Sequence, residues 1–181
     1  RRQRQMCIRD RVLLVRAAAG YCRLRRMVTL ACKTPDGCYT CAAVATPFTL
    51  GVLRPRIYMP QSLQGAPRQA VLLHERTHIR RGDPITKPLY YLVACLHWWN
   101  PLAWLAFRQF EQYMELACDE AAIGTAPAAE RADYCESILR FATVRQMPGA
   151  LAFGQGQVAK RVAHLLKYRK PAPLLLALGC V

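Results

Sequence analysis

His74, Glu75 and His78 stand as His-Glu-x-x-His within the stretch Val71-Leu72-Leu73-His74-Glu75-Arg76-Thr77-His78-Ile79. Side chains four residues apart on an α-helix lie one above the other, so both imidazoles can reach one metal ion. Glu75, beside the first histidine, then falls near the open position of that metal, where a carboxylate can take a proton from an activated water. The chemistry this trio suits is hydrolysis of a peptide bond. Two histidines on an exposed polar helix would meet the same spacing by chance, but the flanks argue for a site. Pro67 sits where a helix can begin, an apolar run over residues 70–73 leads into the motif, and Gly82 followed by Asp83-Pro84 closes it. A helix bounded this way is partly buried. Buried histidines flanking a glutamate need a compensating partner, which a metal supplies.

A catalytic zinc takes three protein ligands and keeps a fourth place for water. The chain has eleven acidic residues, and none of them lies in residues 84–110. A dense cluster follows: Glu111, Glu115, Asp119 and Glu120, in a helical run. Glu115 and Asp119 are four apart and share a face, with Glu111 one turn earlier. Glu115 is the candidate third ligand. Asp119 is then placed to accept the outer N–H of a metal-bound histidine, which would fix its tautomer. The alternative is a solvated acidic helix face. Cys118 is a rival ligand, although a thiol beside Leu116 and Ala117 more often packs in a core.

Together these residues carry a resemblance. The segment from His74 to Asp83, then His97-Trp98-Trp99-Asn100-Pro101-Leu102-Ala103-Trp104, then Glu115-Leu116-Ala117-Cys118-Asp119, resembles the BlaR/MecR-type membrane zinc metallopeptidases. The upstream block from Thr46 to Pro60 is similar to the segment that precedes the zinc helix in that family. The resemblance implies a gluzincin site holding one zinc ion, with His74, His78 and Glu115 as ligands and Glu75 as general base. It implies a bacterial inner-membrane protein whose zinc domain faces the cytoplasm and whose substrate is a protein, such as a transcriptional repressor or the enzyme itself. No Ser-x-x-Lys penicillin-binding motif occurs in the chain, so the β-lactam sensor of the best-known members is not carried over.

The elements that must position these residues are legible in outline. At 181 residues and 53% hydrophobic content, the chain can bury a real core. Residues 1–27 are expected to form a basic helical segment following an upstream transmembrane helix, and residues 28–170 the zinc peptidase domain. Residues 171–181, which end in an apolar run, read as the start of a truncated transmembrane helix, or else as a core strand or helix. The expected fold is α+β, helix-rich, with a small antiparallel sheet and flanking transmembrane segments. Residues 28–31 and 39–46 read as a hairpin around Thr34-Pro35-Asp36-Gly37, with further strands over 48–53 and 56–59. Phe48, Thr49, Leu50 and Gly51 form the candidate edge strand for an extended peptide substrate, or an ordinary sheet edge.

Residues 89–107 carry no formal charge at neutral pH, but His97, Asn100 and Pro101 at the centre argue against a spanning helix. Two helices meeting at Trp99-Asn100-Pro101 fit better. His97 is a candidate oxyanion donor or a satisfied buried histidine. Further helices are expected over residues 127–143 and 158–168, separated by a glycine-bearing loop over 149–156.

The net charge of +15 is concentrated in the N-terminal arginines and in Lys160, Arg161, Lys167, Arg169 and Lys170. Such charge suits the cytoplasmic side of an anionic bilayer, so membrane lipid is an expected partner. A basic nucleic-acid-binding or membrane-surface module without catalysis is the alternative. No helix-turn-helix, zinc-finger or aromatic nucleic-acid pattern accompanies the arginines, and direct nucleic-acid contact is not expected. Nine scattered cysteines, with Cys38 and Cys41 as a lone C-x-x-C, read as reduced thiols.

Overall fold

The computed structural model describes residues 2–124, 126–144 and 153–167, with side chains over 11–124, 126–139 and 158–167. The chain divides into two compact units, Arg1–Met114 and Glu115–Val181. The expected C-terminal transmembrane start at 171–181 lies outside the described residues. Among the described residues, no helix is long and apolar enough to cross a membrane.

The first unit opens with helix α1 (Arg2–Met27). Four short strands follow: β1 (Cys32–Lys33), β2 (Tyr39–Cys41), β3 (Phe48–Leu50) and β4 (Arg56–Pro60). Their order in the sheet is β1-β2-β4-β3, which puts β3 at an edge. The sheet is mixed, not purely antiparallel: β1 with β2 and β3 with β4 are antiparallel, but β2 runs parallel to β4. The expected hairpin is present in reduced form. Its turn at Thr34 to Gly37 closes with the Gly37 N–H donating to the Thr34 carbonyl at 3.0 Å, and Gly37 takes the positive φ of 78° that glycine permits. The arm expected at 28–31 forms no strand, because Val28 is drawn into the core beside Cys41, Val44 and Tyr58. The Tyr58 ring lies 5.5 Å from Tyr39 on one strand and 5.5 Å from Phe48 on another, which ties three strands through one side chain.

Helix α2 (Gly65–Arg81) carries the His-Glu-x-x-His motif and packs on β3, β4 and helix α3 (Asp83–Leu96). Gly82 ends α2 in the left-handed conformation at φ 79°, its N–H returning to the His78 and Ile79 carbonyls, and α3 begins at the next residue with Pro84 in its first turn. Arg76 and Arg68 anchor α2 to the turn between β1 and β2. Arg76 donates to the Asp36 carbonyl at 2.6 Å, and Arg68 pairs with the Asp36 carboxylate at 3.3 Å.

The uncharged stretch breaks where Pro101 predicts. Helix α4 (Pro101–Ile123) starts at that proline, and the Asn100 side-chain oxygen accepts the Leu102 N–H at 2.9 Å as an N-cap. Within the first unit, Tyr90 stacks on Phe110 at 3.9 Å and Tyr91 meets Trp104 and Phe107 edge-on, which pairs α3 with the start of α4. The boundary between the units falls inside α4.

The second unit contains the end of α4 with α5 (Ala128–Val144) and α6 (Phe153–Lys167). Helix α6 begins at Phe153, so residues 153–156 of the expected glycine loop are helical. Among the described residues of α5, Tyr134, Cys135 and Ser137 are buried and Leu139 is exposed. The Tyr134 hydroxyl has a buried partner, Asp119. The described cysteines, at 22, 32, 38, 41, 95, 118 and 135, are all free thiols, as their scatter suggests.

Candidate metal centre

The register of α2 sets the geometry. His74 and His78, one turn apart and both half-buried, bring their Nε2 atoms to 3.0 Å, with the ring planes nearly perpendicular. Two nitrogens bound about 2.0–2.1 Å from one tetrahedral zinc would stand roughly 3.3 Å apart, so the pair needs only a slight opening to share an ion. His78 Nδ1 lies 2.7 Å from Asp83 Oδ2, and Asp83 is buried at the first position of α3. With its Nδ1–H donated to that carboxylate, His78 presents the Nε2 lone pair, the tautomer a metal ligand requires. Arg81 Nε also reaches Asp83, at 3.3 Å. Two imidazole nitrogens placed this way could hold a divalent metal ion.

Glu75 projects from the same helix, half-buried, and its Oε2 accepts a hydrogen bond from the Thr49 hydroxyl of β3 at 2.7 Å. The motif and the edge strand Phe48, Thr49, Leu50 and Gly51 are thus joined in one unit. Gly51 lies just past β3 at φ 111°, and a Cβ there would stand 2.6 Å from the Arg54 carbonyl oxygen, so the close return of the chain towards β4 requires glycine.

In the second unit, Glu115 and Asp119 share the α4 face that their spacing predicts, and Arg161 of α6 holds both. The guanidinium donates to the fully buried Asp119 carboxylate through Nε at 2.7 Å and through its second terminal nitrogen at 2.8 Å, and it reaches Glu115 Oε2 at 3.3 Å. Burial works against the Arg161 charge, but the hydrogen bonds and charge of Asp119, followed by Glu115, raise its pKa above the ordinary arginine value. The Tyr134 hydroxyl adds a third donor to Asp119 at 3.0 Å. Burial first, then the Asp119 charge, pushes that phenol's pKa up. Arg161 therefore points inward and leaves the basic flank in which its sequence position had placed it. Glu120 pairs with His164, and in the first unit Glu111 pairs with Lys87 at 3.0 Å. Cys118 is fully buried.

Two sequence expectations need adjusting. The carboxylate on His78 is Asp83, which the sequence marks only as a helix-ending residue; its place five residues after the second histidine, just past the glycine, is the available signal. His97 is exposed, not buried, and its Nδ1–H donates at 3.0 Å to the Val93 carbonyl, which also accepts the His97 backbone N–H at 3.1 Å.

A family model described as BlaR1 peptidase M56 matches residues 8–165. The chain belongs to that family. Regulatory protein BlaR1 of Bacillus licheniformis is 28% identical over 143 residues, covering 74% of this chain and 24% of the relative. Methicillin resistance mecR1 protein of Staphylococcus aureus strain Mu50 is 24% identical over 101 residues, covering 54% of this chain and 17% of the relative. The chain thus spans about a quarter or less of these M56 relatives. Membership makes it part of a membrane-associated peptidase family that acts in signalling.

Proposed function

We propose that this chain is the catalytic part of a membrane-bound zinc metalloendopeptidase that cuts a cytoplasmic protein, either a transcriptional repressor or the enzyme's own cytoplasmic segments, in regulated signalling. The observation that carries the reading is the convergence of the His74 and His78 Nε2 atoms beside Glu75, with Asp83 fixing the His78 tautomer. His74, His78 and Glu115 would hold the metal. A zinc ion bound there would supply the electrophile that polarises the scissile carbonyl and lowers the pKa of a water. Glu75 takes the proton of the attacking water and delivers it to the leaving amine. The β3 edge, Phe48 to Leu50, offers an extended peptide a strand to pair with, which stretches the scissile bond across the site. Asp119, held by Arg161 and Tyr134, keeps the Glu115 face of α4 ordered and supplies a carboxylate for a histidine's outer N–H.

The test is substitution with metal measurement. Glu75→Gln should retain one equivalent of zinc and lose cleavage; wild-type cleavage by that variant would reject the general-base role. His74→Ala, His78→Ala and Glu115→Ala should each lose the metal or bind it far more weakly, because an open site has only three protein ligands. Full retention in Glu115→Ala, with loss in Cys118→Ala, would transfer the third place to the thiol.

A further inference from the structure

We infer that Thr49 is a positioning residue for the general base, and that the edge strand which receives substrate also aims Glu75. This rests on the peptidase reading above and adds a role for a residue outside the zinc motif. The observation is a 2.7 Å hydrogen bond from the Thr49 hydroxyl to Glu75 Oε2, between residues 26 apart in sequence, on strand β3 and helix α2. Local helix geometry does not explain it. The hydroxyl belongs to the middle residue of the three-residue β3, paired across from Ile57 of β4, and β3 is the outer strand of the sheet.

A glutamate on a helix has three rotatable side-chain bonds, and freezing it costs rotamer entropy. A hydrogen bond to a charged acceptor is among the stronger ones and offsets that cost, holding one rotamer. Only one carboxylate oxygen is engaged by Thr49, so the other remains to accept the proton of the attacking water. A strand that moves when a peptide pairs with it would carry the Glu75 carboxylate along. Substrate docking and base alignment are therefore coupled through one hydroxyl.

The experiment is a double-mutant cycle on the full 181-residue chain, loaded with zinc, using a peptide hydroxamate as probe. Such a probe chelates zinc and passes its N–OH proton to the general base, so its affinity reports the alignment of Glu75. Thr49→Val keeps the branched shape that strands favour, so folding should survive. Thr49→Val should weaken the probe about tenfold, in line with loss of one hydrogen bond to a charged group, with zinc affinity unchanged. Thr49→Ser should restore wild-type binding. In a Glu75→Ala background, Thr49→Val should have no further effect, since the partner is already gone. Wild-type affinity in Thr49→Val, or the same tenfold loss with Glu75 absent, would overturn the inference and leave the zinc reading intact. A wild-type chain that binds no zinc would overturn both.

Discussion

At the scale of single residues, the functional side chains are held by a few polar contacts that can be removed one at a time. Asp83→Asn keeps the shape of the His78 partner but removes its charge. It should weaken zinc binding by roughly ten- to hundredfold, measured by chelator competition, while the helix around His78 is unchanged by circular dichroism. Asp119 is a different case. With a fully buried carboxylate set against Arg161, Arg161→Met strands a charge and should destabilise the fold by about 3–5 kcal/mol in urea unfolding. The double variant with Asp119→Asn should recover much of that loss. The Tyr134 phenol, held neutral in the fold, has its pKa raised by burial and by Asp119. Its contribution is complete below the unfolded tyrosine pKa near 10 and is lost as pH rises above that, because the unfolded chain then releases a proton that the folded chain keeps. Tyr134→Phe should flatten the alkaline limb of the stability profile.

At the scale of elements, the helices were legible because their ends are written in side chains: Gly82 and Pro84 separate α2 from α3, and Asn100-Pro101 starts α4. The parallel pairing of β2 with β4 was not legible. Two strands of three and five residues carry no local mark of their partner, and the choice is made by Tyr58 packing between Tyr39 and Phe48. Nor was Tyr134 legible, since its burial depends on Asp119 and Arg161, distant in sequence. The trio on α2 could be read because it lies within one helix; Asp83 and Thr49 were harder because each reaches the site from another element. For the edge strand, Leu50→Pro is the cleaner probe, as it removes a backbone donor and spares the Thr49 hydroxyl. It should impair cleavage of a protein substrate with zinc retained. Normal cleavage by the folded, zinc-loaded variant would reject strand addition as the binding mode.

At the scale of the whole molecule, the charge of +15 is displayed in part by α1, where Arg11, Arg16, Arg23, Arg25 and Arg26 are all exposed. Attraction to an anionic inner leaflet predicts that the chain binds vesicles containing phosphatidylserine, that it ignores neutral ones, and that salt weakens binding by screening. In inside-out vesicles from cells making the full-length protein, the zinc domain should be open to added protease; protection would reject the cytoplasmic placement. A basic module that served nucleic acid instead would bind DNA with a steep salt dependence and be indifferent to chelator. Loss of proteolysis on stripping zinc would set the chain apart from that class.

Gly82 has a consequence of another kind, because it closes α2 and opens α3 with no spacer. The match between His78 and Asp83 then depends on chain length as much as on residue type. One residue inserted after Ile79 would turn everything beyond it by about 100° about the helix axis, swinging the carboxylate off the imidazole. Position 80, an exposed arginine, should therefore reject insertions and deletions. A library of single-codon indels across residues 74–83, selected for metal retention, should show a continuous gap even where a substitution library shows none.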